Sequence, residues 1–183
     1  MLKQLLKENL KGIIVLVVVL AVLGSLTYSF VAPGGMFSGL QNDLKVIETG
    51  EGEMYTNLDG VPIDLATFKG KPLIINSWAT WTPFSKDELI LLSSLKESRG
   101  DALEILAINR MEDVGVVRAY LSTYTIPEEI LFILDPADTF YKAVKGYAMP
   151  ETLFYGKDGT LVMHKRGVLT KEELEQYAQE ISK

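Results

Sequence analysis

Two short apolar runs, Pro72-Leu73-Ile74-Ile75 and Leu103-Glu104-Ile105-Leu106-Ala107-Ile108-Asn109, flank a single helical stretch, and that spacing leaves few folds open. Each run is brief, largely apolar and bounded by turn residues, which reads as a buried strand. Between them, residues 83–98 set Leu89, Leu91, Leu92 and Leu95 at helical spacing, and Arg99-Gly100-Asp101 closes the helix. Two buried strands joined by one helix run parallel, with a right-handed crossover. At the start of the helix, Thr82 suits the N-cap and Pro83 the first helical position, with Asp87 and Glu88 in the early turns.

The rest of the chain extends this unit. Met54-Tyr55-Thr56-Asn57-Leu58 and Val61-Pro62-Ile63 flank Asp59-Gly60 as a hairpin, and residues 64–70 form a short helical turn closed by Gly70. Residues 113–124 read as a second helix with Val114, Val117, Tyr120 and Leu121 inward, stopped by Ile126-Pro127. Leu131-Phe132-Ile133-Leu134 is a third buried strand, and a helix beginning at Asp135-Pro136-Ala137-Asp138 carries Phe140, Tyr141 and Val144. A hairpin pairs residues 152–155 with 161–165, and Thr170 with Glu173 makes a capping box for the last helix, residues 170–181. Strands alternating with helices, then a terminal hairpin, give an α/β sandwich with a mixed central sheet.

The N-terminus is separate. Residues 13–32 are 20 in a row without a charge, about 30 Å as a helix, enough to cross a bilayer. Lys3, Lys7 and Lys11 precede it, which places residues 1–12 in the cytoplasm and the folded part outside. A cleaved signal peptide and a buried helix are the alternatives; Phe30 fits the −3 position of a cleavage site poorly. Residues 33–52, rich in Gly, Ser, Asn and Asp, read as a linker, and residues 53–183 as the folded domain. The net charge of −6 and the lack of any basic stripe argue against nucleic-acid binding. No metal-ligand spacing and no phosphate loop is present, so no metal or cofactor is expected.

The stretch Trp78-Ala79-Thr80-Trp81-Thr82-Pro83-Phe84-Ser85, leaving a strand and entering a helix, resembles the active-site segment of thioredoxin-fold proteins. It is most similar to the membrane-anchored TlpA/ResA/CcmG group of thiol–disulfide oxidoreductases. The resemblance covers roughly residues 55–181 and implies a thioredoxin-like three-layer sandwich. It places Thr82 and Ser85 at the two cysteine positions and Glu88 at the family's glutamate. Met149-Pro150 resembles the loop with a cis-proline facing the active-site helix, and Pro150-Glu151-Thr152 matches wording common in the CcmG-like members. The resemblance further implies a docking edge there for an extended polypeptide, with Trp78, Trp81, Thr82, Pro83, Phe84, Met149 and Pro150 as the binding residues.

The chain has no cysteine. Thiol–disulfide exchange needs a sulfur attacking a sulfur, and a threonine hydroxyl needs an adjacent base, usually histidine, to become a nucleophile. The single histidine, His164, stands on a late strand with no motif around it. No catalytic residue is therefore expected. Thr82 reads as a cap bonding the N–H of Phe84 or Ser85, and Ser85 as a small polar filler bonding back to the Thr82 carbonyl. Phe84 reads equally as a partner contact or as packing on Trp81 or the Met149 loop. The adjacent carboxylates Asp87-Glu88, Glu128-Glu129 and Glu172-Glu173 read as solvated faces, Glu88 being at most half-buried. The expected function is a membrane-anchored, redox-inactive binding module. The alternatives are an oxidoreductase, if Thr82 and Ser85 replace native cysteines, and a structural subunit of a membrane complex.

Overall fold

The computed structural model describes residues 55–127 and 129–183. The segments read as cytoplasmic terminus, anchor and linker (1–12, 13–32 and 33–52), and the domain boundary at 53, lie outside the described residues. Among the described residues no helix is long and apolar enough to cross a membrane.

Seven strands form one mixed sheet: β1 (Tyr55–Asn57), β2 (Pro62–Ile63), β3 (Leu73–Trp78), β4 (Glu104–Arg110), β5 (Leu131–Asp135), β6 (Glu151–Tyr155) and β7 (Leu161–Arg166), in the spatial order β2-β1-β5-β4-β3-β6-β7. β3, β4 and β5 are parallel, as the single-helix crossover requires, and β6 and β1 run antiparallel to their neighbours. The helices are α1 (Ser85–Arg99), α2 (Val114–Thr123), α3 (Thr139–Ala143) and α4 (Lys171–Ile181), with a 3₁₀ turn at Leu65–Phe68.

β3 is central, and all six of its residues are buried. Its alternation divides them between two cores. Ile74 and Trp78 face a cluster with Leu89, Leu92 and Leu95 of α1, Val117 and Leu121 of α2, and Leu174 and Ala178 of α4. Leu73 and Ile75 face the other cluster, with Phe140, Val144 and Leu65. The sheet is thus covered on both faces, the three-layer arrangement expected from the sequence.

Three expectations need correction. Val114 is exposed, because α2 is anchored by the buried Val117 and Leu121, with the partly buried Tyr120 packed beside them. α3 begins only at Thr139, since Asp138 takes a left-handed backbone, φ 59°. α1 begins at Ser85, not at Pro83. The capping box of α4 is present with both bonds, Thr170 to Glu173 and back.

Gly146 precedes the loop into β6. A Cβ there would lie inside contact distance of the Tyr141 ring. That ring cannot easily yield: the Arg110 guanidinium stacks 3.4 Å from its centroid and its hydroxyl donates to the Ala148 carbonyl at 3.0 Å. Gly146→Ala is expected to cost about 1–3 kcal/mol, as overpacking does. Urea unfolding checks this; an unchanged midpoint would show that the Tyr141 stack is loose.

Candidate functional site

β3 ends at Trp78 and the chain turns through residues 79–84 before entering α1. The turn is fastened from inside. Thr82 Oγ1 lies 2.9 Å and Ser85 Oγ 2.8 Å from the Ala79 carbonyl oxygen, and the two hydroxyls also meet each other. The two hydroxyls have two protons for these three contacts, so one donates to the carbonyl and the other either to the carbonyl as well or to its neighbouring hydroxyl. Thr82 is therefore not the N-cap: Phe84 holds that position, without a side-chain bond. Nor does Ser85 Oγ bond the Thr82 carbonyl; that acceptor takes the Ser85 N–H, at 3.4 Å. Both hydroxyls are buried, with Ser85 fully enclosed.

Glu112 holds the turn from the β4–α2 side. It accepts from the Thr80 N–H at 2.8 Å, from the Thr80 hydroxyl, and from Asn109 Nδ2 at 2.7 Å. These partners are 32 residues apart in sequence for Thr80, and no local pattern announces them.

Glu88 is not a solvated carboxylate. It is 3% exposed. Asn76 Nδ2 donates to it at 2.7 Å, the Thr152 hydroxyl at 2.9 Å and the Leu169 N–H at 3.2 Å. One side chain thus ties α1 to β3, to β6 and to the segment before α4. Burial pushes its carboxyl up to about 7, against the opposing pull of the bonds from Thr152, Leu169 and Asn76.

The facing loop lies at the same end of the sheet, because Ser77 near the end of β3 is in register with Glu151 at the start of β6. The Met149–Pro150 peptide is cis. Glu151, fully buried, accepts from the Tyr147 and Ala148 N–H groups, each at 2.8 Å, and lies 2.7 Å from His164 Nε2. His164 therefore has a carboxylate partner and is committed to the loop, away from Thr82. Arg166 stacks 4.8 Å over Tyr147.

The predicted binding residues divide. Trp81 is 63% exposed and Phe84 49%, with Pro83 exposed between them and Met149 half-buried. Trp78 is 0% exposed and packs on Tyr120 and Phe132, so it supports the core and cannot touch a partner. Pro150 is likewise buried. Thr82 turns its hydroxyl inward. Sequence reasoning missed two exposed aromatics, Tyr124 and Tyr147, which no periodicity distinguishes from core positions. Among the described residues no group of acidic and histidine side chains could hold a metal ion.

A mixed sheet with β3 leading through a tight turn into α1, faced by a cis-proline loop, defines a thioredoxin-like α/β protein. The chain belongs to the Redoxin family, which it matches over residues 37–181. Among curated relatives, it is 27% identical over 128 residues to the thiol-disulfide oxidoreductase ResA of Bacillus thuringiensis subsp. konkukian, covering 69% of this chain and 73% of that one. It is 26% identical over 140 residues to the soluble secreted antigen MPT53 of Mycobacterium tuberculosis, covering 74% and 79%. Among solved structures, a secreted Mycobacterium tuberculosis disulfide oxidoreductase homologous to E. coli DsbE superposes with a TM-score of 0.62 at 23% identity, over 76% of this chain and 98% of that one. StoA from Bacillus subtilis gives 0.57 at 20% identity, over 68% and 93%. These structural likenesses establish the fold.

Proposed function

We propose that this chain is a redox-inactive, thioredoxin-like binding module, held outside the membrane by an anchor at residues 13–32 and engaging an extended polypeptide or a partner protein. The observation that carries the reading is the pair Thr82 and Ser85. Their hydroxyls are bonded to each other and to the Ala79 carbonyl, where the family resemblance puts two cysteines, and the chain contains no sulfur nucleophile elsewhere. Exchange between thiols and disulfides has no starting atom. Around the silent centre an apolar surface stays open: Trp81, Pro83 and Phe84 on the turn, Met149 and Tyr147 on the facing loop. An extended peptide lying against that loop would gain main-chain bonds and aromatic contact together.

The test has two arms on the full-length chain. Reduction of insulin by dithiothreitol is expected to proceed no faster than without protein. Binding of a reduced, carboxymethylated polypeptide is expected to fall at least tenfold in Trp81→Ala and Phe84→Ala. Turnover above the blank refutes redox inactivity; binding insensitive to both substitutions refutes the assigned surface.

A further inference from the structure

Beside the turn lies a cleft of about 300 Å³, lined among others by Thr80, Trp81, Pro83, Asp87, Tyr120 and Tyr124. We propose that this cleft seats the cationic side chain, arginine or lysine, of a bound polypeptide, with its charge on the Trp81 face and against Asp87. The inference rests on the polypeptide-binding reading and specifies what part of the polypeptide the site selects.

Three aromatic rings border the space. Trp81, the residue type with the strongest cation–π attraction, is 63% exposed and has no ring or cation stacked on it among the described residues. Tyr120 and Tyr124 pack edge to face at 4.8 Å and form the far wall.

The lining carries one carboxylate, Asp87, and one cation, Lys86; Glu112, behind the lining Thr80, tips the surroundings to negative. Asp87 has an exposed carboxylate at the rim, and Glu112 is held against the cleft wall through Thr80. Both act on the Tyr120 hydroxyl, which burial and Tyr124 raise first and these two carboxylates raise further. Among the described residues, one cation lines the cleft, Lys86. Its ammonium sits 5.7 Å from the Tyr124 centroid and 3.4 Å from Asp87. Lys86 demonstrates that this wall accepts a cation, and it neutralises one carboxylate of the two. Glu112 receives only neutral donors, and no lysine or arginine among the described residues pairs with it. An aliphatic guest would cover the Asp87 carboxylate without compensating it, and an acidic guest would be repelled. The acid excess of the whole chain, net −6, attracts the same kind of partner at long range.

The experiment measures anisotropy of three dye-labelled extended octapeptides, alike except for a central arginine, norleucine or glutamate, on the full-length chain in a non-ionic detergent. The arginine peptide is expected to bind at least tenfold tighter than the norleucine peptide, and the glutamate peptide weakest. That preference is expected to shrink to under threefold in Trp81→Ala and in Asp87→Asn, both exposed enough to leave the fold intact, and to weaken with added salt. Equal binding of arginine and norleucine peptides overturns the cation seat while leaving the polypeptide-binding reading standing. An arginine preference undiminished in both variants places the seat elsewhere and overturns the inference. Binding of none of the three refutes the polypeptide-binding reading, and this inference with it.

Discussion

Between pH 5 and 8 the domain is expected to lose up to about 3 kcal/mol of stability, and Glu88→Gln is expected to remove most of that loss. The carboxyl of Glu88 is held at about 7 in the folded protein, against 4.5 when solvated. Between those values the native state keeps a proton that the unfolded chain has released. The unfolded state then binds fewer protons, so stability falls as pH rises. The contribution is complete below about pH 4.5 and disappears as pH passes through 7. Other shifted groups act elsewhere. Glu104, bonded to Lys71 and Lys96, has its carboxyl lowered despite its partial burial, so its contribution is lost only as pH falls below the ordinary carboxylate range. Lys71, raised by its bond to Glu104, acts only above the ordinary lysine range. Urea unfolding followed by tryptophan emission at pH 5, 6, 7 and 8 makes the measurement. A slope equally steep in Glu88→Gln would assign it to another group.

The same residue shows where reading the chain reaches its limit. Adjacent helix positions point about 100° apart, so Asp87 and Glu88 cannot share an environment. One is exposed at the cleft rim and the other enclosed. Which one turns inward depends on Asn76, Thr152 and Leu169, which lie 12, 64 and 81 residues away. The fold itself was far more legible. The parallel β3–β4 pair, the two hairpins and the α4 capping box all rest on apolar period and turn chemistry within short windows. The cap of α1 misled because Thr82-Pro83 has the right composition for a helix start. The nearby Ala79 carbonyl captures the threonine hydroxyl instead, and the helix begins three residues later. Trp78 and Trp81 have equal claim to a binding surface on composition. Trp78 is the last residue of a strand covered on both faces, and only Trp81 clears the sheet.

Restoring sulfur at the turn, as Thr82→Cys with Ser85→Cys, is expected to give a disulfide readily and a measurable, alkaline-shifted insulin reductase activity, where none is expected of the parent chain. The two side-chain oxygens already touch and lean on one carbonyl, so the replacing sulfurs start on the same side of the turn. Residues three apart at a helix start meet the requirement that the Cα atoms lie within about 7 Å. Reactivity is a separate matter. A thiolate gains most from helix N–H groups aimed at it. Position 82 stands before the helix, is 5% exposed, and directs its side chain at a carbonyl oxygen. Burial and that carbonyl both favour the neutral thiol. Glu88 is buried one turn beyond Ser85 on the same face of α1, and above about pH 7 it adds a negative charge within a turn of the restored pair. The cysteine at position 82 is therefore expected to titrate at or above the free value of about 8.5, and adding Glu88→Gln is expected to lower it. Thiolate absorbance against pH, with and without Glu88→Gln, reads this directly. A value well below 8.5 would mean that the N-terminus of α1 outweighs the Ala79 carbonyl at this position. Failure of the bridge to close in oxidised glutathione would mean that the hydroxyl pair has settled into a geometry that sulfur cannot occupy.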